Sequence, residues 1–301
     1  METFRKGRTG RASILLSIPL LLAVASPLRA NEDEWLPRAM AYQDHAERTP
    51  PAQDAPPSDA RQVALVRAAR NPLTDVISIP FQNNVNFGVG PGNDVQNVLN
   101  IQPIIPINLG DWRLIARPII PVIHQPEFVP GTGTTDGLGD VSLSLFLSPP
   151  GSSGLRWGAG PVVLFPTATE NILGTQKYCV GPTAVAVAME GPLIAGVLVN
   201  NVWSVSGTSR RADVNQLFVQ PFALYAIGEG WYAISIPVIT ANWEATSDQR
   251  WTVPVGGGFG KVFRMNGVPF NFHIAAYENV VHPRLGASWT LQFQFQILLP
   301  K

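Results

Sequence analysis

Residues 289–299 read WTLQFQFQILL, with Trp289, Leu291, Phe293, Phe295, Ile297 and Leu299 on one side of an extended chain and Thr290, Gln292, Gln294 and Gln296 on the other. A period of two is the signature of a strand, since successive side chains point to opposite faces. In a soluble sheet with one wet face, the polar side usually carries Lys or Glu. Here it carries amides and a hydroxyl. Glutamines behind a row of aromatics fit a strand with lipid on one face and a wet interior on the other.

The pattern recurs upstream. Leu99, Ile101, Ile105 and Ile107 oppose Asn100, Gln102 and Asn108; Trp112, Leu114, Ala116, Ile120 and Val122 oppose Arg113 and Arg117; Val141, Leu143, Leu145 and Leu147 oppose Ser142 and Ser144. Further strands centre on ISIPFQNNVNF, RWGAGPVVLFP, YCVGPTAVAVAM, LIAGVLVNNVWSV, VNQLFVQPFALYA, WYAISIPVITANW, RWTVPVGGGFGKV and VPFNFHIAAYENV. This predicts about twelve antiparallel strands over residues 71–301. Pro103, Pro118, Pro182 and Pro237 fall inside these segments, and each removes a donor from the ladder. Links alternate between long ones, such as QPEFVPGTGTTDGLGD and TATENILGTQ, and short ones, such as LGD, EGP, GEG and MNG. Short periplasmic turns and longer outer loops are the habit of outer-membrane barrels. An even strand count then leaves both ends of the barrel in the periplasm. Trp112, Trp157, Trp203, Trp231, Trp243, Trp251 and Trp289 gather at segment ends, where interfacial girdles lie.

Composition agrees. Of 301 residues only 14% are charged and 46% are hydrophobic, so a soluble β-sandwich would leave large apolar areas in water. Lys plus Arg and Asp plus Glu are 21 each, which supplies no field for a nucleic-acid backbone. One cysteine, Cys179, and four histidines exclude a disulfide framework and leave no expected metal or cofactor site.

The N-terminus carries Arg5, Lys6, Arg8 and Arg11, then the apolar run ASILLSIPLLLAVA, then small residues. That order is a secretory signal over residues 1–30, cleaved after Ala25 or Ala30. The run is too short to span a bilayer as a helix. Residues 31–70 read as a polar, proline-bearing periplasmic leader, with a short helix near 59–70 that ends before Pro72.

Several stretches also have familiar wording: NPLTDVISIPFQNN, LNIQPIIPINLGDWRLIARPIIPVI, GLGDVSLSLFLSP, WGAGPVVLFPTATENILGTQKY, EGPLIAGVLVNNVWS, RADVNQLFVQPF and QRWTVPVGGGFGKV. From about Asn71 to Lys301 the chain resembles a family of Gram-negative outer-membrane β-barrels. Its members are often labelled "transporter", "neuromedin U" or proteins of the phenol meta-cleavage pathway. The resemblance implies an outer-membrane barrel with an uptake role and brings no substrate or catalytic residues with it. The chain finishes Leu-Leu-Pro-Lys, so recognition by the insertion machinery would rest on Phe293 and Phe295.

With polar faces inward, the lumen is expected to carry Asn100, Gln102, His273, Gln292, Gln294 and Gln296, with Arg113, Arg117, Arg156 and Arg250 among them. Acids fall mostly in links, so such a lumen favours neutral polar or anionic small molecules. Arg113 and Arg117, four apart on one face, are expected to act on one anionic group, with His273 joining at acidic pH. The alternative is that the arginines pair with Asp140 or loop acids and simply fill the barrel. A rival class is a barrel hydrolase, for which His124, His273, His282, Asp136 and Asp140 are available but no G-x-S-x-G elbow accompanies them. A non-conducting structural or adhesion barrel is the other alternative. The expectation is a non-enzymatic barrel whose partners are outer-membrane lipid and a small solute.

Overall fold

The computed structural model describes residues 76–128, 131–150 and 154–299. The signal, its cleavage site, the leader and the helix near 59–70 lie outside the described residues. Within them there are fifteen strands: β1 (Ile77–Val89), β2 (Asp94–Ile101), β3 (Ile105–Leu109), β4 (Trp112–Gln125), β5 (Thr135–Leu138), β6 (Val141–Ser148), β7 (Leu155–Phe165), β8 (Lys177–Glu190), β9 (Leu193–Gly207), β10 (Asn215–Gly228), β11 (Trp231–Ser235), β12 (Ile239–Asn242), β13 (Trp251–Met265), β14 (Val268–Val281) and β15 (Trp289–Leu299). Two 3-10 turns, Asn171–Leu173 and Ser247–Gln249, sit in links, and no α-helix occurs among the described residues.

Every strand pairs antiparallel with its neighbours, and β15 pairs with β1 from Phe87↔Trp289 to Ile77↔Leu299. The sheet therefore has no edge, which is how a β-structure satisfies its backbone in lipid. β2 with β3, β5 with β6, and β11 with β12 each form one stave in two pieces, so fifteen segments make a twelve-stave barrel.

Proline explains two of the splits. Pro103 separates β2 from β3, though Gln102 and Ile104 still bond through their backbones to Pro80 and Ser78 of β1. Pro237 separates β11 from β12, and the backbone N–H of Ile236 donates to the Tyr277 hydroxyl at 3.0 Å instead of to a neighbouring strand. Pro118 and Pro182 leave β4 and β8 unbroken, but at Pro182 the β8–β9 pairing is interrupted between Val180↔Trp203 and Thr183↔Asn200, with the register unchanged.

The two faces separate as the period of two demands. Outward residues such as Ile107, Leu147, Val197, Tyr225, Phe259, Phe272, Ile274 and Phe295 are exposed and apolar, the surface a bilayer would cover. Trp112, Trp157 and Trp231 lie at the short-turn end, and Trp203, Trp243 and Trp289 at the long-loop end, so the aromatic girdles form at both rims.

Candidate functional site

The inward face is not uniformly polar. Around β14, β15 and β1 it carries buried amides: Asn271, Gln292, Gln294, Gln296 and Gln82. On β8 to β11 it carries Val185, Val187, Ile194, Leu198, Leu224, Tyr232 and Ile234. These pack with Ile115, Phe146, Val262 and Leu298 from other staves into one apolar cluster across the barrel. Each of these residues sits towards the short-turn half of its stave, so the cluster forms a floor there.

Tyr232 anchors the floor. It is fully buried, and its hydroxyl donates to Asn271 Oδ1 at 2.6 Å. Asn271 Nδ2 in turn donates to Gln296 Oε1 at 2.9 Å. The ring packs against Gly260 so closely that a Cβ there would lie 2.2 Å from the Tyr232 hydroxyl, and only glycine leaves that space.

Beyond the floor, towards the long loops, lies a cavity of about 460 Å³. Its polar lining includes Gln82, Asn84, Asn86, Asn100, Gln102, Gln220, Asn279 and Gln292, and among the described residues Arg117 is the one charged side chain that lines it, with no carboxylate. Phe218, Ile119, Val98 and Ile236 supply apolar wall. Arg117 Nη2 donates to Gln102 Oε1 at 2.6 Å, which aims the guanidinium without neutralising it. Gln292 Nε2 donates to Asn84 Oδ1, and Gln292 Oε1 faces His273 Nε2 at 3.0 Å. An amide oxygen only accepts, so that imidazole nitrogen is the donor.

Of the expected lumen residues, Arg117, Asn100, Gln102 and Gln292 meet in this cup. Gln294 and Gln296 are buried at floor level, bonded to each other and, through Gln296, to Asn271. Three expectations need correction. Arg113 does not join Arg117, because fully buried Ile115 lies between them and four residues of strand span about 13 Å. Arg113 sits opposite Ser148 near a short turn, and Arg156 lies on the same side of the floor, opposite Val187. His273 is fully buried and does not line the cup, so it cannot act with the arginines on a solute. Arg250 is not a strand residue: it closes the 3-10 turn in the outer link before β13, with its guanidinium 5.6 Å from the Trp243 ring and Nη2 on the Ala245 carbonyl.

Among the described residues, Asp140 pairs with no arginine. Its carboxylate accepts from the Ala168 and Thr175 backbone N–H groups and from the Thr175 hydroxyl, pinning the β7–β8 loop. Arg211 donates to the Asn171 and Gly174 carbonyls of that loop, so two outer loops are tied together. His124 Nδ1 and Asp136 Oδ1 lie 2.6 Å apart on exposed positions of β4 and β5, and Asp136 therefore belongs to a strand rather than to the loop expected from sequence. No hydroxyl or thiol bonds to His124 among the described residues, which leaves the pair without a nucleophile.

At the outer rim, buried Lys177 donates to Asp213 Oδ1 at 2.5 Å, and the Ser204 hydroxyl adds a second bond. The hydrogen bond and charge of Lys177 hold the Asp213 carboxyl below its ordinary value of 3.8. A depressed carboxylate contributes stability above its ordinary pKa, and that stability is lost as pH falls through the lowered one. The β9–β10 loop should thus stay closed in mild acid and open only below pH 3.8. Hydrogen exchange at the mutually bonded Ser204 and Val214 would show this. Fading of protection already near neutral pH, or the same profile in Asp213→Asn, would refute it.

No protein-family model matches the chain, and no curated protein matches it. Among solved structures, the barrel is similar to the COG4313 outer membrane channel from Pseudomonas putida F1, at 17% identity and a TM-score of 0.58, over 74% of this chain and 94% of that one. It is also similar to the NanC porin, at 9% identity and a TM-score of 0.47, over 74% of this chain and all of that one. Outer membrane phospholipase A from Escherichia coli aligns at 11% identity and a TM-score of 0.40, over 78% and 97% of the two chains. At 17% identity the likeness to the Pseudomonas putida channel shows the fold alone: a closed barrel of the outer-membrane type.

Proposed function

We propose that this chain is an outer-membrane barrel that takes a small neutral polar or anionic solute from outside into the amide-lined cup and passes it inward. The observation that carries the reading is the cup itself: among the described residues, amides, hydroxyls and one guanidinium line it, without a carboxylate. We read the protein as non-enzymatic, since no hydroxyl or thiol among the described residues bonds to the exposed His124–Asp136 pair, and the pair does not line the cup. Location in the outer membrane is supported by the closed barrel and its apolar outer surface, and the channel from Pseudomonas putida F1 shares that architecture.

Two unit charges 4 Å apart interact by about 4 kcal/mol at an effective dielectric of 20, against about 1 in water. Even half of that difference is worth about tenfold in anion over cation preference. The test is the reversal potential of the reconstituted barrel in a KCl gradient. Arg117→Gln should move it towards cations by that order, whereas Arg113→Gln, beyond the floor, should move it less. An unchanged potential in a folded, conducting Arg117→Gln barrel would reduce Arg117 to structural filling.

A further inference from the structure

Above the cup lies a second cavity of about 290 Å³, lined by Val89, Phe128, Ile172, Leu285, Gly286 and Ala287 with the amides of Gln96 and Gln125. Its walls come from four outer links that the sequence keeps apart. Gly90 brings them together: at φ +73°, a conformation L side chains rarely adopt, its N–H donates to the Leu285 carbonyl at 2.9 Å, and its α-carbon packs close to the Glu127 carbonyl and the Phe128 ring. Ile172 arrives on the 3-10 turn of the loop that Asp140 and Arg211 pin down.

Cup and vestibule share Ala287. Between them runs a belt of side chains on four consecutive staves. Thr290 Oγ1 donates to Asn86 Oδ1 at 2.7 Å, Asn86 Nδ2 to Gln96 Oε1 at 2.8 Å, and Gln96 Nε2 to Gln125 Oε1 at 2.6 Å. The belt's amides are engaged with one another along this chain of bonds, and the vestibule above it offers contact with apolar side chains from several loops. From these observations we propose that the vestibule is a separate outer binding station that holds the aliphatic or ring portion of an amphipathic anion while its charged end rests at the top of the cup, beside the shared Ala287, within the field of Arg117 deeper in the cup. This rests on the cup reading above and adds a second subsite with its own chemistry.

Straight-chain carboxylates, from acetate through butyrate and hexanoate to octanoate, serve as probes, with block of the ionic current in planar bilayers as the readout. Each methylene that leaves water for the vestibule should tighten block about fourfold, until the station is filled. Ile172→Asn and Leu285→Asn change exposed loop side chains, so the barrel remains intact. In these variants the dependence on chain length should flatten while acetate block stays as in the parent; Arg117→Gln should instead weaken block at every length by a similar factor. Block that is independent of chain length in the parent overturns the station. So does a chain-length dependence that survives both loop variants, which would place the tail against Phe218 and Ile119 in the cup. Absence of block by every carboxylate, acetate included, overturns the anion reading of the cup itself, a distinguishable failure.

Discussion

Tyr232→Ala and Phe146→Ala are each expected to raise single-channel conductance several-fold and to cost about 3–5 kcal/mol of barrel stability, the usual loss for a large aromatic removed from a packed core. Both side chains are almost wholly buried in the floor, and Tyr232 is additionally held by its bond to Asn271. Removing either leaves a void between staves that are closed by backbone ladders, so the sheet persists while the interior loosens. Tyr232→Phe keeps the ring and deletes only the hydroxyl bond, a loss of about 1 kcal/mol, and should change conductance little. Conductance is read in planar bilayers and stability by urea unfolding in lipid vesicles. A Tyr232→Ala barrel that folds but conducts no more than its parent would mean that the floor is not what limits flow.

A charge on the outer surface should be nearly as costly. Phe259 is 60% exposed near the middle of β13, where the account puts hydrocarbon against it. Phe259→Arg is expected to lose about 2–4 kcal/mol near the bilayer midplane. Gln220→Arg, on the cup wall, should lose much less, because water reaches it. Equal losses in vesicles would mean that the two faces are misassigned.

The barrel was legible in the sequence because its clearest staves alternate strongly. WTLQFQFQILL separates amides from aromatics, and the observed β15 buries the former and turns the latter outward. Long and short links marked the two rims, since hairpin turns and outer loops are under different demands. The floor was not legible. In LIAGVLVNN, inward Ile194 and Leu198 and outward Leu193, Val197 and Val199 are all aliphatic, so no alternation tells one face from the other. A fully apolar stave reports lipid outside but is silent about what fills the lumen.

The arginines show a second limit. Sharing a strand face proved right for Arg113 and Arg117, yet four residues along a strand carry them to different sides of the apolar layer. Which level a residue occupies depends on how tilted staves stack, and period-two reasoning contains no such information. Likewise β5 lies in a Gly- and Thr-rich stretch that reads as loop, and it becomes a strand because β4 offers Val122–Gln125 as partners. The vestibule is still further from the sequence, since loop residues as distant as Val89, Phe128, Ile172 and Leu285 meet only when the barrel closes.

If the barrel holds an outward-facing, anion-accepting cup above a dry floor, anomalous diffraction from crystals of the full chain grown in bromide will locate the anions in the cup. A bromide is expected beside the Arg117–Gln102 pair and none among Ile115, Phe146, Val187, Leu224 and Tyr232. A cup without bromide, with the ions confined to rim residues such as Lys177 and Arg250, or a file of bromide running through the floor, would contradict it.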